Sequence, residues 1–185
     1  MRALLRGEIV VAGAMTLFVD LEGAVRIVRL AVPFGWTWTL GDVRSFCEAA
    51  GWREVGEDDV AVIFATDLGV AEPRANAYTN SRLAPALALA GQDIEEISVY
   101  VADSGPQLAA DAAVAEPYSR LADLLAGELG PPMWSMVDPR IETGWELPDV
   151  IIGVVAEPGW VELVLTNPLY RRRIERLEDE WDAEQ

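Results

Sequence analysis

The chain has 185 residues, no histidine, no lysine, and 31 acidic against 14 basic side chains, giving a net charge of −17 and a pI near 4.2. Without histidine it lacks the one side chain that titrates unperturbed between about pH 5 and 8, and with it the commonest general base and metal ligand. With 51 % hydrophobic and 24 % charged residues the composition is globular, and its field repels nucleic acid and anionic lipid surfaces.

At the N-terminus Arg2 and Arg6 precede an apolar run from Ile9 to Val19. Glu8 interrupts its start, no A-x-A-like cleavage site follows, and the run is too short to span a bilayer. Met15 opens a second candidate start. Residues 1–18 are therefore expected to be an extension or a first element, and residues 19–185 one α+β domain. Asp20 is placed to cap a helix from Leu21 to about Val32, with Leu21, Ala24, Val25, Val28 and Ala31 on its apolar stripe and Arg26 and Arg29 off it. Pro33 and Gly35 stop it. Thr39 caps a second helix, with Asp42 at the capping-box position; Leu40, Val43, Cys47 and Ala50 face inward, and Gly51 ends it. Cys47 is the only cysteine, so no internal disulfide forms, which suits a reducing, cytoplasmic setting.

The middle of the chain reads as sheet. Gly56-Glu57-Asp58-Asp59 is an acidic turn before an apolar run rich in β-branched residues, Val60 to Thr66. Asp67-Leu68-Gly69-Val70-Ala71-Glu72 follows as a protruding connection before Pro73. Leu83, Leu87 and Leu89 alternate with alanine, and Pro85 confines that stretch to an edge strand or bulge. Gly91-Gln92-Asp93 turns into a strand from Ile94 to Ala102, with Ile97, Val99 and Val101 on one face. Tyr118 to Leu129 has helical periodicity behind Pro117 and stops at Gly130-Pro131-Pro132. Val150–Ala156 and Trp160–Thr166 flank the hairpin signal Glu157-Pro158-Gly159. A last helix spans about Leu169 to Trp181. Its arginines come early and its acids late, against the helix dipole, so the tail after Arg176 is expected to fray. Close spacing and Gly-centred turns favour antiparallel pairing. The expectation is a single α+β domain with a mainly antiparallel sheet of about five or six strands, packed against N-terminal, middle and C-terminal helices.

Chemistry is sparse. Cys47 lies on an apolar helical stripe with no histidine to activate it, and there it behaves as a small hydrophobe. Zinc-type Cys/His clusters are missing, Glu57-Asp58-Asp59 lacks EF-hand spacing, and no glycine-rich phosphate cradle occurs. Thirty-one acids make some close carboxylate pair inevitable, so a carboxylate-only hydrolase stays open without a specific motif behind it. No catalytic, cofactor-binding or metal-binding residue is assigned. Of seven tryptophans, Trp36, Trp52 and Trp145 are expected in the core, while Trp134 and Trp160 lie beside loops. Residues 41–130 hold sixteen acids against five arginines, an acidic surface suited to a basic partner.

Trp36-Thr37-Trp38-Thr39-Leu40-Gly41-Asp42-Val43, with Ala49-Ala50-Gly51-Trp52, resembles the opening signature of a family of small acidic actinobacterial proteins. Trp145-Glu146-Leu147-Pro148 and Thr166-Asn167-Pro168-Leu169-Tyr170 are similar to later segments of that family. It includes the immunity factor for tuberculosis necrotizing toxin, and the likeness spans roughly Val19 to Tyr170. The resemblance implies a cytosolic, non-enzymatic antitoxin that binds an NAD-hydrolysing toxin domain in its basic cleft and blocks its active site. The motif residues themselves read as structural. The partner-binding residues are therefore nominated from the loop: Asp67, Leu68, Gly69, Val70, Ala71 and Glu72, with Gly69 placed for close approach or positive φ and Leu68 and Val70 without an evident core role. A secretion chaperone or adaptor is the alternative in the binding class.

Overall fold

The structure is a computed structural model that describes residues 6–11, 15–79, 94–105, 114–137 and 140–183. Strands β1 (Arg6–Val11) and β2 (Met15–Asp20) form an antiparallel pair and lead into α1 (Leu21–Ala31). Asp20 caps α1 as the sequence suggests, accepting from the Gly23 amide at 2.9 Å. The buried side of α1 is Leu21, Ala24, Ile27, Val28 and Ala31. Ile27 thus takes the place expected for Val25, which is only partly buried.

The link to α2 (Leu40–Ala49) is the Trp36-Thr37-Trp38 segment. Trp36 and Trp38 stack with centroids 4.7 Å apart, and both are buried. Trp38 adopts φ +58°, a conformation most side chains avoid. It is held there by its indole donating to Asp149 O at 3.0 Å and by its own carbonyl accepting from Ile94 N at 3.0 Å. Thr39 caps α2 through the Asp42 amide. The Asp42 carboxylate reaches back to Thr37 rather than to the cap residue. Gly51 ends the helix with φ +80°, the left-handed stop that glycine permits.

Eight further strands follow: β3 (Arg53–Glu57), β4 (Ala61–Ala65), β5 (Arg74–Thr79), β6 (Ile94–Asp103), β7 (Trp134–Met136), β8 (Ile141–Glu146), β9 (Ile151–Glu157) and β10 (Trp160–Thr166). Helix α3 (Ala115–Leu129) precedes β7, and α4 (Pro168–Ala183) ends the chain. The strands make one ten-stranded sheet in the order β3-β4-β5-β6-β10-β9-β8-β7, with β2 added to β6. The fold class is α+β and antiparallel as expected, but the described residues form ten strands rather than five or six. Strands β1, β2, β3, β5, β7 and β8 are not among those expected from the sequence, which placed residues 1–18 only as an extension or first element. Gly56-Glu57, read as turn, belongs to β3, and the bend falls at Asp59-Val60, closed by the Asp58 amide donating to Ala61 O at 2.9 Å. The strand expected over Leu83–Leu89 and the turn Gly91–Asp93 lie outside the described residues.

Period-two alternation gives the sheet two unlike faces. Ile97, Val99, Val101, Ile152, Val154, Leu163 and Leu165 join Val62 and Phe64 in the core, against α1 and α3. The opposite face carries Arg74, Asn76 and Tyr78 on β5, Glu96, Ser98 and Tyr100 on β6, and Glu162 and Thr166 on β10. Helix α4 borders that second face: Tyr170, Arg171 and Ile174 line a cavity with it. Among the described residues no helix is long and apolar enough to cross a membrane.

Candidate functional site

The nominated loop is less free than the sequence suggests. Leu68 and Val70, expected to lack a core role, are 4 % and 8 % exposed and belong to the core. Leu68 packs on Gly23 so closely that a β-carbon there would overlap its side chain. Gly69 does not use its conformational freedom; among the described residues the glycines with positive φ are Gly51, Gly105, Gly130 and Gly159.

Two buried carboxylates tie the loop backbone down. Asp20 Oδ2 accepts from Gly69 N at 2.9 Å. Asp103 accepts from Ala71 N at 3.1 Å and from Glu72 N at 2.9 Å. Asp103 points this way because β6 carries one extra residue opposite Val161–Glu162, and a bulge re-aims every side chain beyond it. Asp67 is gripped by Arg26 through two bonds of 2.7 and 2.8 Å, while the same guanidinium donates to Ala50 O at the end of α2. What remains outward is the backbone of Gly69 and Ala71 with the Asp67 and Glu72 carboxylates.

Glu72 opens onto a shallow surface cavity that Arg74, Tyr100 and Trp160 also line. The Arg74 guanidinium sits 5.5 Å above the Tyr100 ring, and Tyr100 packs against Trp160 with centroids 6.1 Å apart. Trp160 Nε1 is buried without a hydrogen-bond partner among the described residues. No local pattern along the chain announces this aromatic–arginine ladder, because its members come from three strands and meet only through the sheet register.

Further along the same face lies a cavity of about 80 Å³ between the sheet and α4. Its walls include Glu96, Trp134, Arg140, Glu142, Thr166 and Tyr170. Burial, with Glu162 nearby, raises the Glu96 carboxyl to about 7, and burial raises Glu162 as well. Glu142 is 5 % exposed and paired with Arg140 at 2.8 Å. Trp134 reaches it by lying flat over Gly144, where no β-carbon would fit. Burial also lifts the Tyr170 phenol, with Glu95 adding to the effect. Cys47 is buried, and its thiol is pushed up to about 12 by desolvation, the state of an unreactive core cysteine. Among the described residues no group of three or more His, Cys, Asp or Glu is placed to hold a metal ion.

The chain belongs to a family of unknown function, DUF6301, whose model matches residues 22–167. No curated protein matches it. Among solved structures it is similar to a DUF4309 family protein (YjgB) from Bacillus subtilis subsp. subtilis str. 168, at 16 % identity and a TM-score of 0.41, over 80 % of this chain and 97 % of that one.

Proposed function

We propose that this DUF6301 protein is a non-enzymatic binding module that presents the 67–72 loop to a cationic protein partner, as an immunity protein does to its toxin. The observation behind the reading is the anchoring of that loop by Asp20 and Asp103. A segment already held in one shape loses little conformational freedom on binding, which is how rigid inhibitor loops gain affinity. The charge of −17 favours encounter with a basic surface and fixes its orientation.

The partner class in this proposal is a toxin domain whose basic cleft takes an anionic substrate such as NAD⁺, in keeping with the resemblance of the Trp36–Trp52 signature. The setting is cytoplasmic, in line with the single buried thiol. A carboxylate-only hydrolase is less well supported. Glu142 is committed to Arg140 and Trp134, and Glu162, the other carboxylate near Glu96, does not line the cavity, so no carboxylate pair is presented to a glycosidic bond there.

Co-expression with the product of the adjacent gene tests the reading. An immunity protein restores growth while the toxin is catalytically intact. A secretion chaperone changes export and leaves toxicity untouched, and that result would replace the proposal.

A further inference from the structure

The cavity beside α4 holds two carboxylates in opposite situations. Glu142 is satisfied by Arg140 at 2.8 Å and by Trp134 Nε1 at 3.3 Å. Glu96 has no ion pair among the described residues; its hydrogen bond comes from the Thr166 hydroxyl at 3.4 Å. The other guanidinium in the wall, Arg171, is engaged by Glu175 at 2.9 Å. Arg140, already paired with Glu142, compensates Glu96 only at a distance, and a largely buried carboxylate without an ion pair of its own is stabilised either by holding its proton or by gaining a positive partner.

We propose that this cavity is a binding site for a small aliphatic cation, an alkylguanidinium or alkylammonium group. Its charged head takes Glu96 and Thr166, and its alkyl shaft lies on Ile151, Val155 and Val164. Trp134 and Tyr170 in the wall suit a cation, since aromatic faces attract positive charge. Gly153 keeps the floor open: a β-carbon there meets only Val164, at 3.7 Å and beyond. An anion fits poorly, because the arginines in the wall are already paired and the uncompensated charge is negative. The site is separate from the 67–72 loop, so each reading can fail without the other.

The same cationic group is carried by a free amine or by an arginine side chain on a protein, and two probes separate these sources. Butylguanidine stands for the free molecule and N-acetyl-arginine methylamide for the chain-borne one. Titration calorimetry of the whole protein is the measurement. Binding of both probes assigns the site to a side chain of a partner; binding of butylguanidine alone assigns it to a small molecule.

Glu96 gives up its proton as the cation enters, so affinity rises about tenfold from pH 6 to pH 8 for a group titrating at about 7. The other titratable groups facing it are Glu95, Glu142, Glu162, Arg140, Arg171 and Tyr170. Glu96→Gln should weaken binding at least tenfold and flatten its pH dependence. Glu162→Gln should keep binding and move the pH dependence to lower pH. Gly153→Val should block the site and leave the Glu96 titration in place, which separates steric loss from loss of charge. Dissociation constants above about 10 mM for both probes, or unchanged binding in a folded Glu96→Gln variant, would overturn the proposal.

Discussion

Asp20 serves Gly69 and the first turn of α1 with one carboxylate: Oδ1 accepts from Gly23 N and Oδ2 from Gly69 N, each at 2.9 Å. A helix cap and a surface loop 49 residues away are therefore set by the same side chain. Replacing Asp20 with Ala removes an N-cap, worth about 1 kcal/mol, and a bond to a charged acceptor, worth about 1.5–3 kcal/mol. The expected loss is about 2–4 kcal/mol in chemical denaturation, with faster hydrogen exchange at Gly69. Retained protection of Gly69 in a folded Asp20→Ala variant would mean that the loop is held by other contacts.

Loop substitutions bear on the proposed partner. Gly69→Trp, or Asp67→Ala combined with Glu72→Ala, should weaken toxin binding by more than about 1.4 kcal/mol, a tenfold change. Stability should change by less than about 1 kcal/mol in the double variant, because the Arg26–Asp67 pair is 42 % and 49 % exposed and such pairs contribute little. Calorimetry of the purified pair decides: unchanged affinity in both variants removes the loop from the interface.

Trp52 is 5 % exposed and meets Phe46 edge-on, with centroids 6.0 Å apart. Trp52→Ala should cost about 3–5 kcal/mol, the range for aromatic truncation in a core. Trp52→Phe should cost clearly less, since Trp52 Nε1 is a buried donor without a partner among the described residues and phenylalanine removes that unmet donor. Equal melting temperatures for Trp52→Ala and the parent protein would contradict the packing.

The elements legible in the sequence are those specified locally. Asp20, Thr39 and Gly51 mark helix ends by cap chemistry, and Glu157-Pro158-Gly159 marks a hairpin. Strand β3 (REVGE) was hidden because all five of its residues are exposed, so no apolar alternation announces it. In β5 the core-facing residues are only Ala75 and Ala77, too small to signal a strand. In β8, Gly144 is required by Trp134 lying across it, a tertiary demand that resembles a turn signal along the chain. The burial of Leu68 depends on Gly23, and Glu96 is isolated by groups from β8, β10 and α4. Neither relationship has a local trace.

Truncation after Arg176 tests how α4 is attached. Tyr170, Arg171 and Ile174 line the cavity and Arg172 approaches Glu146 at 3.5 Å, so the first half of the helix carries these contacts. Beyond it Leu177 is 37 % exposed, and the last turn has no basic residue to complement the dipole. The melting temperature should change by no more than about 2 °C, as for a loss of under 1 kcal/mol. A larger drop would show that the end of α4 is docked.

Glu96 should make stability fall as pH rises. Its carboxyl titrates at about 7 in the fold against an ordinary value of 4.5. Between these values the native state holds a proton that the unfolded chain has released, so unfolding becomes easier with increasing pH. Below about pH 4.5 both states are protonated and there is no penalty; above about pH 7.5 the penalty is complete. The shift from 4.5 to about 7 corresponds to at most about 3.4 kcal/mol, and the solvent that still reaches this largely buried side chain reduces it to about 1–2 kcal/mol. Glu96→Gln carries no such charge, so its stability relative to the parent should grow between pH 4.5 and 7.5 and then level off. Glu162, also raised by burial, adds a slope of the same sign; because the two carboxylates repel each other, Glu96→Gln also relieves Glu162, which enlarges the difference in the same direction. Denaturation curves of the two proteins at pH 5, 6, 7 and 8 provide the measurement. A constant difference across that range would mean that Glu96 titrates as an ordinary surface carboxylate.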